Sequence, residues 1–180
     1  MNPVVRPITR ALAAAALAGV TLSAIADTAA PMPEAVAAHA GVVPDYAREA
    51  RWADEVAPSV MVGDVVWLRT PDRERVLALF TPGAGSGAGG GIVIVHGLGV
   101  QPDFGIVGEL RADLAARGFA TLSVQMPVLA ADALPGEYAA LFPLAGDRIE
   151  AAVQWLAAKG VAPVAVVAHS LGAAMANAWL

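Results

Sequence analysis

From residue 91 onward, hydrophobic positions alternate between two rhythms. Ile92-Val93-Ile94-Val95 and Val164-Ala165-Val166-Val167-Ala168 are short β-branched apolar runs, as expected for strands buried on both faces, and Ala120 to Val124 reads as a third strand. Between them Ile106, Val107, Leu110 and Leu114 recur at helical spacing, with Gly118 placed as the residue after the helix. Asp147 reads as the cap of a second helix, with Ile149, Val153 and Leu156 inward and Gly160 after the last turn. A helix-favouring run, Ala173 to Ala176, follows the last strand. Strand, helix, strand, helix, strand, helix implies crossover connections and a mostly parallel sheet. Upstream, Asp64 to Arg69 and Arg75 to Phe80 flank the turn Thr70-Pro71-Asp72-Arg73 and predict an antiparallel hairpin. Asp45 is placed to cap a short amphipathic helix carrying Tyr46, Glu49 and Trp52 to Val56. The fold class is therefore α/β, with an N-terminal antiparallel hairpin and flanking helices.

The strand Val164 to Ala168 stops at a serine flanked by small residues, and a helix begins at once. Strand, sharp turn, helix with Ser170 at the apex is the context of a nucleophile elbow. The residues two before and two after that serine, Ala168 and Gly172, must be small so that strand and helix can approach. The plainer alternative is a buried strand followed by an ordinary serine helix cap. A second feature bears on the choice. His96-Gly97-Leu98-Gly99 follows the first parallel strand, 74 residues before Ser170, so both loops leave the carboxyl edge of the sheet, where ligands bind. Acyl transfer needs backbone N–H groups aimed at a developing oxyanion, and those of Leu98 and Leu171 are the expected pair. Gly97 and Gly99 let that backbone come close.

Composition changes the picture at the N-terminus. Arg6 and Arg10 precede an apolar stretch from Ala11 to Ile25 and the small-residue site Ala24-Ile25-Ala26, the pattern of a secretory signal peptide over residues 1–26. Loss of that segment takes the formal charge from −5 to −7 and directs the product to the periplasm or outside the cell. Residues 27–62 form a lead-in holding the short helix, and 63–180 the α/β unit. An acidic chain has no electrostatic footprint for nucleic acid, and no later apolar run is long enough for a membrane span. The chain has no cysteine. His39 is far from other ligand types, so neither a metal nor a cofactor is expected. Gly85-Ser86-Gly87-Ala88-Gly89-Gly90 matches a dinucleotide fingerprint literally, but it precedes a strand where that fingerprint must open a helix.

Over Asp64 to Leu180 the chain resembles the α/β-hydrolase superfamily, and within it a bacterial exported family of unknown function. The resemblance rests on Val62 to Leu68, His96 to Gly99, Leu122 to Pro127 and Ala168-His169-Ser170-Leu171-Gly172-Ala173. The Ala-His-Ser-x-Gly form is also similar to that of some small bacterial lipases. What the resemblance implies is attack by Ser170 on an ester or related acyl group of a small molecule. It also implies an acid and a histidine after the serine. Ten residues follow Ser170, and none is acidic or histidine. His169 sits beside the serine and points elsewhere at an elbow, His96 is expected as a structural member of the oxyanion loop, and Asp103, Asp132 and Asp147 as solvent-facing or capping residues. The expectation is accordingly an incomplete α/β-hydrolase fold, the N-terminal part of a longer protein whose later strands bring the acid and base. Two rival readings stand beside it: a non-catalytic exported binding protein of the same fold, and a product that does not fold stably. Met126, Leu129, Leu134, Tyr138 and Phe142 either wall an apolar pocket or simply cover the sheet. Substrate identity and oligomeric state are not legible.

Overall fold

A computed structural model describes residues 42–85 and 89–180. The signal-peptide segment, His39 and most of the lead-in lie outside those residues. Helix α1 spans Tyr46–Val56, with the Asp45 carboxylate accepting from the Arg48 N–H at 2.8 Å. Strand β1 (Asp64–Leu68) and β2 (Val76–Thr81) form the expected hairpin, closed by paired backbone bonds between Thr70 and Arg73. Then come β3 (Gly91–Val95), α2 (Ile106–Ala116), β4 (Ala120–Val124), a 3-10 segment (Pro135–Leu141), α3 (Phe142–Ala158), β5 (Val164–Ala168) and α4 (Leu171–Trp179).

The five strands form one sheet in the order β1-β2-β4-β3-β5. β4, β3 and β5 pair in parallel, while β2 joins β1 and β4 antiparallel. Alternation along the strands sends side chains to two layers. Val93, Val95, Leu122 and Val124 enter the main core with Ala145, Ile149, Ala152 and Leu156 of α3 and Met175 of α4. Ile92 and Ile94 meet Val107 of α2 on the other face, and Leu77 and Leu79 meet Ala53 and Val56 of α1. Both long crossover helices end in the same device. Gly118 (φ 96°) and Gly160 (φ 77°) take the left-handed conformation, and the next residue donates back to Leu114 and Leu156 respectively.

Four expectations need correction. α3 starts at Phe142 with Pro143 in its first turn, so Asp147 lies inside the helix and caps nothing. Ile106 is exposed at the start of α2; the buried stripe is Val107, Arg111 and Ala115. β5 is not buried on both faces but only half covered, with Ala165 exposed. Asp103 is neither free in solvent nor a cap: it pairs with the buried guanidinium of Arg111, which also donates to Thr81 Oγ1 at 2.8 Å.

Candidate active site at the carboxyl edge of β3 and β5

Because β3 and β5 are parallel neighbours in register, with Val95 opposite Ala168, their carboxyl ends release two loops side by side. The His169 N–H donates to the Val95 carbonyl at 3.1 Å, the last rung of that seam. The chain then turns. Ser170 has φ 55° and ψ −128°, the sole non-glycine at positive φ among the described residues. A side chain is held there only when its surroundings force it, at a cost of about 1–3 kcal/mol. α4 starts immediately, with Gly172 N–H donating to His169 O and Ala173 N–H to Ser170 O. The bend needs room on the inner side, and Gly172 supplies it. A Cβ there would sit 2.4 Å from His96 O and 2.8 Å from Val95 O, both backbone atoms.

The loop after β3 packs against the bend. A Cβ on Gly97 would fall 2.9 Å from Ser170 Cβ and 3.4 Å from Ser170 Oγ, so only glycine lets the two strands of chain meet. Gly99 has open space around it but φ 74°, so its need is conformational. Ala168 packs on the core beneath the bend, and Leu98 lies at the rim, 38% exposed. Ser170 and His169 are both exposed, and Leu171 opens α4 beside them. A cleft of about 140 Å³ lies beside the hydroxyl, lined by Gly97, Leu98, Val100, Phe104, Ile106 and Val107 together with His169 and Ser170. Its wall holds no carboxylate, lysine or arginine and is mostly apolar. By contrast, Met126, Leu129 and Tyr138 are buried in the core and Leu134 points out to solvent, so the 125–143 segment covers the sheet.

His96 sits inside, 1% exposed. Its Nε2 accepts from the Met126 N–H at 2.8 Å, which leaves the proton on Nδ1, 2.9 Å from the Gly97 carbonyl it donates to. Burial pushes its pKa down to about 4, against the Gly97 hydrogen bond, and the nearby Arg148 charge lowers it further. Both ring nitrogens are engaged and the ring is neutral, so His96 holds the loop and does not serve as a base. Among the described residues, no imidazole or carboxylate hydrogen-bonds to Ser170 Oγ. No group of three or more potential metal ligands occurs among them either.

What sequence reasoning missed is the charge buried behind this loop. Arg148 of α3 is 0% exposed and binds both oxygens of Glu49 (3.2 and 3.0 Å), itself 4% exposed, from α1. Burial pushes the Glu49 carboxyl above its usual range, with Arg148 and Arg73 opposing that rise. The signal was present: Ala145, Arg148, Ile149 and Ala152 share one stripe of α3, as Glu49, Ala53 and Val56 do of α1.

Solved structures are similar to part of this chain, and one of them shares its fold. An esterase described as cold-adapted, from an Arctic intertidal metagenomic library, matches with a TM-score of 0.55 at 17% identity, over 64% of this chain and 53% of its own. An α/β serine hydrolase without a lid from Xanthomonas campestris matches at 0.49 with 15% identity, over 65% and 55%. An α/β serine hydrolase homologue from Coxiella burnetii matches at 0.47 with 16% identity, over 64% and 56%. The chain therefore spans about half the length of these structures, and at such identities the likeness to the esterase speaks for the fold alone. No curated protein matches. A family model covering residues 7–145 does, ending short of Ser170, and the chain belongs to that family, described as a protein of unknown function (DUF3530), on an α/β-hydrolase-like fold.

Proposed function

We propose that this protein is a serine hydrolase of the carboxylic-ester type, with Ser170 as nucleophile and the Leu98 and Leu171 N–H groups as oxyanion donors. The observation that carries this reading is the bend: a serine at φ 55° with a glycine loop pressed to within van der Waals contact of its side chain. Nothing in the packing of a helix cap calls for that strain. The α4 N-terminus adds the positive end of a helix dipole at the same point. The apolar cleft supports a neutral acyl group of a small molecule as the substrate moiety.

The base that would deprotonate Ser170 is not among the described residues. Serine hydrolases deprived of it retain roughly 10³–10⁴-fold catalysis over water. Efficient turnover in this reading thus needs an acid and a base that are not among the described residues. That same observation favours the second reading, an exported binding protein that keeps the fold without the chemistry. A fluorophosphonate probe decides between them in the longest natural product. Covalent labelling that disappears in Ser170→Ala supports the hydrolase, and absence of labelling supports the binding protein. We propose export on the strength of Arg6, Arg10 and the apolar stretch to Ile25. Sequencing of the periplasmic product should find Asp27 at its N-terminus; an intact Met1 product in the cytoplasm would overturn it.

A further inference from the structure

The segment that leaves β4, residues 125–129, is neither strand nor helix, yet its backbone is gripped at nearly every residue by groups from elsewhere. Arg148 Nη1 donates to the Gln125 carbonyl at 3.0 Å. The Met126 N–H goes to His96 Nε2, the Val128 N–H to Glu49 Oε1 at 3.3 Å, and the Leu129 carbonyl accepts from Arg48 Nη1 at 2.8 Å. The Asp45 N–H adds a fifth grip, on the Val128 carbonyl at 2.7 Å, beside the Leu129 N–H on Tyr138 Oη at 3.2 Å. Three of these grips come from α1 or its cap. Two buried charges, Glu49 and Arg148, bracket Met126 from either side while bonding to each other. Around them stand Asp72 (3.6 Å from Arg148 Nη2), held by Tyr46 and Thr70, and Arg73 (3.4 Å from Glu49).

A buried ion pair is weak evidence for stability, because desolvation offsets its attraction. Its value here is positional. The Met126 N–H dictates which nitrogen of His96 carries the proton, and that proton fixes the Gly97 carbonyl, whose α-carbon faces Ser170. We propose that Glu49 and Arg148 are positioning residues for the oxyanion loop, acting through the backbone of residues 125–128 and the His96 ring. The inference rests on Ser170 being the nucleophile, but its first consequence lies in His96 and can be read without turnover.

The test is nitrogen-15 spectroscopy of the histidine side chains in the full chain, with fluorophosphonate labelling alongside. Wild type should show His96 protonated on Nδ1 alone, in one conformer. Glu49→Gln and Arg148→Lys should broaden or split that signal, because the Met126 N–H loses its fixed place against Nε2. Labelling of Ser170 should slow on the order of tenfold, the scale of a small misplacement near a reacting centre. Phe119→Ala, which loosens the α2 cluster at the amino end of β4, the end opposite this segment, should lower stability and leave both readouts unchanged. Should Glu49→Gln fail to fold, Arg148→Lys retains the charge while losing the fork, and carries the test alone. An unaltered His96 signal in the folded variants overturns the proposal, as does an equal change in Phe119→Ala. A perturbed His96 with unslowed labelling breaks the link to Ser170. No labelling of wild type with a perturbed His96 in the variants sinks the nucleophile instead and leaves the clamp standing.

Discussion

Two glycines in two helices should respond to alanine in opposite directions. In an ordinary helix the change from glycine to alanine gains about 1 kcal/mol, because glycine has more backbone freedom to lose. Gly146, inside α3, meets that case: a Cβ there would lie 3.6 Å from Trp179 Cδ1, normal contact. Gly172, in the first turn of α4, does not. Its Cβ would stand 2.4 Å from His96 O and 2.8 Å from Val95 O, and neither oxygen can swing aside. Val95 O also accepts the last β3–β5 bond, from His169, so moving it opens the seam on which Ser170 sits. Overpacking against such a neighbour costs about 3 kcal/mol, the upper end of the usual range. Net of the helix gain, Gly172→Ala should lose about 2 kcal/mol and Gly146→Ala gain up to about 1 kcal/mol. Equilibrium urea unfolding followed by circular dichroism measures both, read from midpoints at a common slope. A Gly172→Ala protein as stable as wild type would refute the close strand–helix approach, and with it the reason for a bend at Ser170.

Three further outcomes are expected. Ser170→Gly should be more stable than wild type by about 1 kcal/mol, since relief of the positive φ outweighs the entropy of an added glycine; thermal melts showing a loss would mean the bend is not strained. His96, with a native pKa of about 4 against an ordinary 6.5, makes stability depend on pH. Between those values the unfolded chain binds a proton that the native one excludes, so the contribution is complete above 6.5 and falls by about 3 kcal/mol as pH drops through 4. Denaturant midpoints measured from pH 7 to 4 should decline more steeply in wild type than in His96→Gln, and parallel curves would contradict the buried neutral ring. Asp103→Asn should cost about 1–2 kcal/mol, less than breaking a fully buried pair, because the amide oxygen can still accept from Arg111 and the site is partly open. A neutral result in the same assay would show that Arg111 finds its partners without the carboxylate.

Strand and helix positions were legible wherever local patterning and backbone chemistry agree. Ala120–Val124 and Val164–Ala168 were readable to the residue, and Asp45, Gly118 and Gly160 marked helix ends through side-chain size and hydrogen bonding that act within one turn. α3 begins before its expected cap because Asp147 has the chemistry of a cap, while Pro143 fits a helix's first turn and lets the helix start at Phe142. The Ser170 bend and the glycine loop were visible as motifs, since both are short-range devices that need small residues at fixed offsets.

What the sequence by itself determined, then, is the order of elements and the two chemical landmarks at the sheet's edge, because periodicity, caps and turns act over a few residues. Tertiary structure decided the rest. That β3 and β5 are neighbours, bringing Gly97 against Ser170, follows from strand pairing over a separation of about 74 residues. The pairing of Glu49 with Arg148, 99 positions apart, depends on two helices meeting behind one loop. A charge on an apolar stripe announces that it needs a partner, but only the packed fold says which partner it finds and which backbone the pair will hold.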